Sequence, residues 1–266
     1  MNNTAEKYKQ AIEFYIANPD VSIMATARKY HVDRGCLRDK LHNLNIETNR
    51  RRKFFFNENW FDVIDSEAKA YFVGFLMADG CIKRNDMLTI TLQRNDEDIL
   101  RKLNALMESN YPIIHTTVSN NFATNALCSI LRFNSIKLVQ SLAKYGIVRN
   151  KTFAATFNPE NLIPEQYIGA YIRGLLDGDG WVSISKNSKE IGFSGTFNIC
   201  NGIANEFQKI GVRTKPIKYK TIYRIRITNT KDITAVYNLL YKNESVCLAR
   251  KKDKMTKIAV SNELVK

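Results

Sequence analysis

Apolar residues recur every third or fourth position between Lys7 and Ile16, at Tyr8, Ala11, Ile12 and Tyr15, the period of a helix with one buried face. Asn18-Pro19-Asp20 interrupts that pattern. Ser22 is placed to cap a second helix with Ile23, Ala27 and Tyr30 on its inner side, and Asp33 to cap a third carrying Leu37, Leu41 and Leu44. Two helices joined by so short a connection resemble a helix-turn-helix, whose second helix enters the major groove. Arg34, Arg38 and Lys40 then lie on the exposed face of the reading helix. A three-helix protein–protein module is the alternative. Residues 1–48 are read as this unit, and residues 49–56, with Arg50, Arg51, Arg52 and Lys53, as a basic linker lying along phosphates.

From Asn57 the pattern changes and then runs twice, over 57–150 and 151–266: a long apolar helix, strand-like alternation, a helix, more strands and a closing helix. Met87–Gln93 alternates and Glu97–Met107 is helical; Ile191–Cys200 and Ala204–Ile210 take the same places in the second copy. Pro112-Ile113 and Pro216-Ile217 mark equivalent turns. The offset between copies grows from 100 to 104, which places extra hairpin residues around Lys186–Lys189. Ile217–Ile227 reads as one long strand, with Ile217, Tyr219, Tyr223, Ile225 and Ile227 on one face and Lys218, Lys220, Arg224 and Arg226 on the other. A face of single-signed charge reads as a DNA-binding surface, and Thr89, Thr91, Ser183 and Ser185 as polar base readers on equivalent strands.

The two long helices repeat one eleven-residue pattern. Ala70-Tyr71-Phe72-Val73-Gly74-Phe75-Leu76-Met77-Ala78-Asp79-Gly80 returns as Ala170-Tyr171-Ile172-Arg173-Gly174-Leu175-Leu176-Asp177-Gly178-Asp179-Gly180, with six identical positions. Small residues every fourth position (Ala70, Gly74, Ala78; Ala170, Gly174, Gly178) predict two helix backbones in close contact, with Ala70, Gly74, Ala170 and Gly174 at their interface. Each helix ends in Asp-Gly, a common stop. A carboxylate there faces the negative end of the helix dipole. Repeated symmetrically, that cost predicts Asp79 and Asp179 side by side as a cation site. For one copy alone, a surface Asp-Gly turn is the bland alternative.

These segments resemble the motif of the LAGLIDADG homing endonucleases in their single-chain, two-repeat form, reading from Phe72 to Gly80 and from Ile172 to Gly180. The resemblance implies an α+β fold of two αββαββα repeats about a pseudo-twofold axis, cradling a long asymmetric double-stranded DNA site. It assigns metal, Mg²⁺ with Mn²⁺ as substitute, to Asp79 and Asp179 with Ala78 and Gly178 beside them. The sixth letter differs, Met77 against Asp177, which leaves the metal position intact. It further implies catalytic roles for Lys151, Gln93 and a basic residue of the second repeat, Lys251 with Arg250 or Lys252 as alternatives. Lys151 and Lys251 each follow their motif aspartate by 72 residues. Cys200 or Asn201 is the expected counterpart of Gln93. The implied activity is metal-dependent hydrolysis of one phosphodiester in each DNA strand, giving short 3′ overhangs. An intron maturase acting on intron RNA and a cleavage-deficient DNA-binding regulator are the alternatives on the same fold.

Composition sharpens the partner. The net charge is +14 and the isoelectric point about 9.5, which points to nucleic acid before an acidic membrane. The charge is uneven: eleven Lys and Arg against six Asp and Glu in 1–53, nine against ten in 54–148, and twenty against ten in 149–266. Cys36, Cys81, Cys128, Cys200 and Cys247, and His31, His42 and His115, lack metal-ligand spacing, so an intracellular, reducing location is expected, cytoplasm or nucleoid. Residues 1–10 are polar and read as neither signal nor transit peptide, and the apolar run Tyr71–Ala78 is too short to span a bilayer. A Met at the start and no His-Asn at the end give no intein signature, so a free-standing protein encoded by an intron or mobile element is expected. A monomer is expected as well.

Overall fold

The computed structural model describes residues 3–46, 48, 54–120, 123–186, 188–242 and 244–263, in two compact units, Met1–Phe54 and Phe55–Lys266. The linker arginines Arg50, Arg51 and Arg52 lie outside the described residues.

The first unit holds α1 (Asn3–Ala17), α2 (Ile23–Tyr30) and α3 (Arg34–Asn43). Ser22 caps α2 by accepting the Ala25 N–H at 3.1 Å, and Asp33 caps α3 through the Cys36 N–H at 2.8 Å. Their inner faces close on a small core of Ala11, Tyr15, Ala27, Leu37 and Leu41. Arg34, Arg38 and Lys40 are exposed on α3.

The second unit is α+β, with two copies of one topology. The first copy runs α4 (Glu67–Asp79), β1 (Gly80–Ile82), β2 (Met87–Gln93), α5 (Glu97–Leu106), β3 (Ile114–Asn120), β4 (Ala123–Asn134) and α6 (Ile136–Lys144). The second runs α7 (Ile168–Asp179), β5 (Trp181–Ile184), β6 (Lys189–Gly195), α8 (Phe197–Lys209), β7 (Ile217–Tyr219), β8 (Ile222–Ile227) and α9 (Thr230–Tyr241), and adds α10 (Ala249–Glu263). Each copy forms a four-stranded antiparallel sheet, in the orders β1-β2-β4-β3 and β5-β6-β8-β7. One continuous core joins the copies through α4 and α7, whose residues are buried almost all round. No helix among the described residues is long and apolar enough to cross a membrane.

The seam between α4 and α7 has no room for side chains. A β-carbon at Gly74 would sit 2.0 Å from the Tyr171 carbonyl oxygen, and one at Gly174 would sit 2.1 Å from that of Tyr71. The stops at Gly80 and Gly180 are not left-handed caps: φ is −71° and −87°, and both helices run straight into a strand. Glycine is needed there because a β-carbon would crowd the backbone of Leu76 or Leu176 at 2.6–2.7 Å.

Three strand expectations are corrected. Ile217–Ile227 is a hairpin, not one strand, because Lys220 takes a left-handed φ of 53° and the chain turns at Lys220-Thr221. Ile191–Cys200 is not one strand either: β6 stops at Gly195, and Thr196 caps α8 by accepting the Ile199 N–H at 3.2 Å. Ser185 lies beyond β5, in the hairpin turn, bonded to Ser188. That hairpin is the longer of the two: Trp181 pairs with Gly192, eleven residues on, where Cys81 pairs with Thr89, eight on.

Candidate active site and nucleic-acid interface

Because α4 and α7 cross on glycines, their C-terminal ends emerge together. A β-carbon at Gly178 would lie 2.3 Å from that of Ala78 and 3.5 Å from Asp79 Oδ2. Asp79 is half-buried and Asp179 exposed at the shared end. Burial and the Asp179 carboxylate push the Asp79 pKa up to about 6, against the pull of Lys251 and Lys151. Burial raises Asp179 as well, opposed by the same two lysines. Two carboxylates thus sit where each resists the ionisation of the other.

Each helix end carries one lysine. Lys151 Nζ donates to the carbonyls of Ala78 (3.3 Å) and Gly80 (2.7 Å), and Lys251 Nζ to those of Gly178 (3.5 Å) and Gly180 (2.8 Å), with Leu176 and Asp177 at 2.6 and 2.8 Å. An ammonium at a helix C-terminus meets the negative end of the dipole, which offsets the acidic residue placed there. Burial lowers both lysine pKa values, and that of Lys251 falls to about 8. The neighbours of Lys251 are engaged elsewhere. Arg250 makes a two-pronged ion pair with Asp96 at 2.8 Å, and Lys252 pairs with Glu244. Among the three basic candidates of the second repeat, Lys251 is the one at the helix end.

Gln93 ends β2, exposed, on the strand face of Thr91 and Thr89; Thr89 is buried, with Oγ1 lacking a partner. From the strand pairing its topological counterpart is Thr196. Cys200 and Asn201 lie inside α8, with Cys200 buried, which corrects the expected equivalence.

The outward face of the second sheet carries Trp181, Ser183, Glu190, Ser194, Arg224 and Arg226, since Val182, Ile191, Phe193 and Ile225 take the core side. The four basic residues expected on one face do not share it. Arg224 and Arg226 point outward, Lys218 pairs with Tyr223 on the opposite face, and Lys220 sits in the turn. Arg224 stacks on Tyr219 with its guanidinium 3.8 Å from the ring centroid and 5.7 Å from that of Trp181; Arg226 pairs with Glu190.

A buried polar network went unforeseen. Arg173, 1% exposed, donates from Nε to the Val246 carbonyl (2.9 Å), from Nη1 to the Leu240 carbonyl and from Nη2 to Glu67 of α4, which also accepts the Ser245 N–H at 3.1 Å. Asp177 Oδ2 accepts the Tyr71 O–H at 2.9 Å and the Leu248 N–H at 2.7 Å. Burial raises the Asp177 pKa to about 6 despite that N–H and Lys251. The sequence clue was an arginine and an aspartate one turn apart in an otherwise apolar helix, where the first copy has Val73 and Met77.

No family model matches the chain. Among curated proteins it is similar to the reverse gyrase of Methanocaldococcus jannaschii, 24% identical over 177 residues that make up 66% of this chain and 9% of that protein. It thus spans less than a tenth of the curated relative it matches. Among solved structures it is similar to the homing endonuclease I-WcaI bound to its DNA recognition sequence, with a TM-score of 0.54, 15% identity and coverage of 73% of this chain and 87% of that one. It is also similar to the meganuclease I-SmaMI bound to uncleaveable DNA, with a TM-score of 0.50, 13% identity and coverage of 74% and 91%. At such identities the likeness is one of fold. With two αββαββα repeats meeting on paired Asp-Gly helices, Phe55–Lys266 has the fold of the LAGLIDADG homing endonucleases in its single-chain, two-motif form.

Proposed function

We propose that this chain is a site-specific, metal-dependent endonuclease that makes a double-strand break in DNA. One observation carries the reading. Two carboxylates, Asp79 and Asp179, share the joined ends of α4 and α7, and one lysine per repeat lies on the carbonyls beside each. One carboxylate and one ammonium per strand to be cut is the inventory that paired phosphodiester hydrolysis needs.

The donors suit a hard divalent cation. They are carboxylate and peptide oxygens, and burial, with the Asp179 carboxylate second, makes an unshared negative charge on Asp79 costly, a cost a bound cation would relieve. Asp79, Asp179 and the carbonyls of Ala78 and Gly178 would hold Mg²⁺, with Mn²⁺ accepting the same set. When bound, the ion supplies Lewis-acid polarisation of the scissile phosphate and a more acidic water. Lys151 and Lys251 offset charge gathering on phosphate oxygens, and Lys251, with a pKa of about 8, can exchange a proton at Nζ near neutral pH. The Gln93 amide orients water in the first half-site.

DNA is taken to lie against the outward sheet faces, with Thr91, Ser183, Arg224 and Arg226 toward base edges and Lys218, Lys220 and Ser185 at the rim; Thr89, whose hydroxyl is buried, is not a base reader. Residues 1–48 add a reader through Arg34, Arg38 and Lys40 of α3, joined by the Arg50–Arg52 linker. We read the protein as a monomer acting inside the cell. The test is cleavage of a randomised DNA library with Mg²⁺, beside Asp79→Asn and Asp179→Asn. Discrete cleavage lost in both variants supports the reading. RNA binding with no DNA cleavage would turn it to the maturase alternative.

A further inference from the structure

The two lysines reach equivalent carbonyls from different supports. Lys151 opens a short 3₁₀ turn, Lys151–Phe153, after Asn150 in a left-handed conformation (φ 59°). Lys251 lies in the first turn of α10, and that turn is gripped from α7. The Asp177 carboxylate accepts the Leu248 N–H (2.7 Å) just before α10, where the helix dipole favours a negative charge. The Lys251 N–H bonds back to the Leu248 carbonyl at 3.0 Å, and Lys251 Nζ donates to the Asp177 carbonyl at 2.8 Å. One residue thus holds both the start of the turn and the ammonium it delivers. Tyr71 of the other repeat steadies the carboxylate, and Arg250 ties the same turn to Asp96. At the first copy's equivalent position stands Met77, whose terminal methyl lies 3.5 Å from where a β-carbon of Gly146 would stand.

We propose that Asp177 is a positioning residue that sets Lys251, and through it the cutting of one DNA strand, while Lys151 and the other strand are set without it. This rests on the endonuclease reading above and deepens it: the two half-sites share chemistry and differ in control.

Asp177→Leu removes the acceptor, whereas Asp177→Asn keeps an oxygen where both donors point. Two readouts apply, with melting temperature and DNA affinity recorded alongside. One is the nicking rate of each end-labelled strand with Mg²⁺. The other, without DNA or metal, is the ratio of Lys251 to Lys151 acetylation by N-hydroxysuccinimidyl acetate, read by peptide mass spectrometry. In Asp177→Leu the strand-rate ratio should shift by about 10- to 100-fold and the acetylation ratio rise by about tenfold, because an ammonium displaced by an ångström loses most of its effect. In Asp177→Asn both ratios should stay within about threefold of wild type, since the geometry is kept. Equal slowing of both strands, or an unchanged acetylation ratio in folded Asp177→Leu, overturns the proposal. If the wild type cuts no DNA, the endonuclease reading fails, and the acetylation ratio alone decides the positioning. If Asp177→Leu does not fold, Tyr71→Phe replaces it: a shift of both ratios in the same direction by about two- to fivefold supports the role, the size expected for one lost hydrogen bond. No shift there sinks it.

Discussion

The first and second repeats trace the same path but fill it differently. At equivalent positions α4 carries Val73 and Met77 where α7 carries Arg173 and Asp177. The apolar pair asks only for volume. The polar pair asks for partners, and it finds them 67 to 106 residues away, in Glu67, Tyr71, Leu240, Val246 and Leu248. What stays equal in the two halves is what the proposed chemistry touches: the glycines of the seam, the aspartates and the lysine-to-carbonyl contacts. Pseudo-symmetry is kept at the shared helix ends and relaxed one layer beneath them.

The comparison breaks most violently at the shared seam. Gly74→Leu and Gly174→Leu should both prevent folding, since even a β-carbon would lie about 2 Å from a carbonyl oxygen of the facing helix. Phe75→Leu, which leaves the backbone contacts of the seam as they are, should leave a cooperative melt. Wild-type melting by either glycine variant would show that the two repeats do not meet on these residues.

Next come the equal parts of the site. Asp79→Asn and Asp179→Asn should each cut cleavage by at least about 100-fold while gel-shift affinity holds, because each removes a proposed metal ligand and no DNA contact. Full activity of either variant would end the equivalence of the two carboxylates.

Beneath them the halves should part. Arg173→Met takes the donor from the Leu240 and Val246 carbonyls and breaks the ion pair to half-buried Glu67, and should cost about 3–5 kcal/mol in denaturant melts. The matching Val73→Ala should cost about 1–2 kcal/mol, a methyl-scale loss. Equal costs would mean that the polar network contributes no more than packing.

A smaller effect follows from the Asp79 pKa. Its folded value, about 6, lies above the ordinary 3.8, so the folded state binds more protons than the unfolded state between those values and stability falls as pH rises through that window. Asp79→Asn should therefore raise the melting temperature at pH 7–8 by about 2–4 °C, equivalent to about 1 kcal/mol, and lose that advantage near pH 4. A gain independent of pH would place the cause elsewhere. Smallest is the expected effect of deleting residues 1–53, a region with eleven basic and six acidic residues. The salt dependence of DNA binding should become shallower while cleavage persists at high protein concentration.

Much of this molecule is legible along the chain. Small residues every fourth position mark a seam, because only they let backbones touch, and alternation marks β2 and β6. A local rule misleads where it has a tertiary competitor. Lys220-Thr221 turns the β7–β8 hairpin with no Gly, Asn or Pro to announce it, so two short strands looked like one. Phe197, Ile199 and Cys200 continue an apolar run past Gly195, yet the Thr196 cap makes them helix.

The sequence by itself determined the duplication, the two Asp-Gly helices, the basic second half and hence an anionic partner, since each rests on spacing and composition. Only the tertiary structure decided which of Arg250, Lys251 and Lys252 meets the helix end, because three adjacent basic residues differ only in where α10 points them. It also decided what Arg173 and Asp177 are for. A buried charge takes its meaning from its partners, and these partners come together only when two helices a hundred residues apart lie side by side.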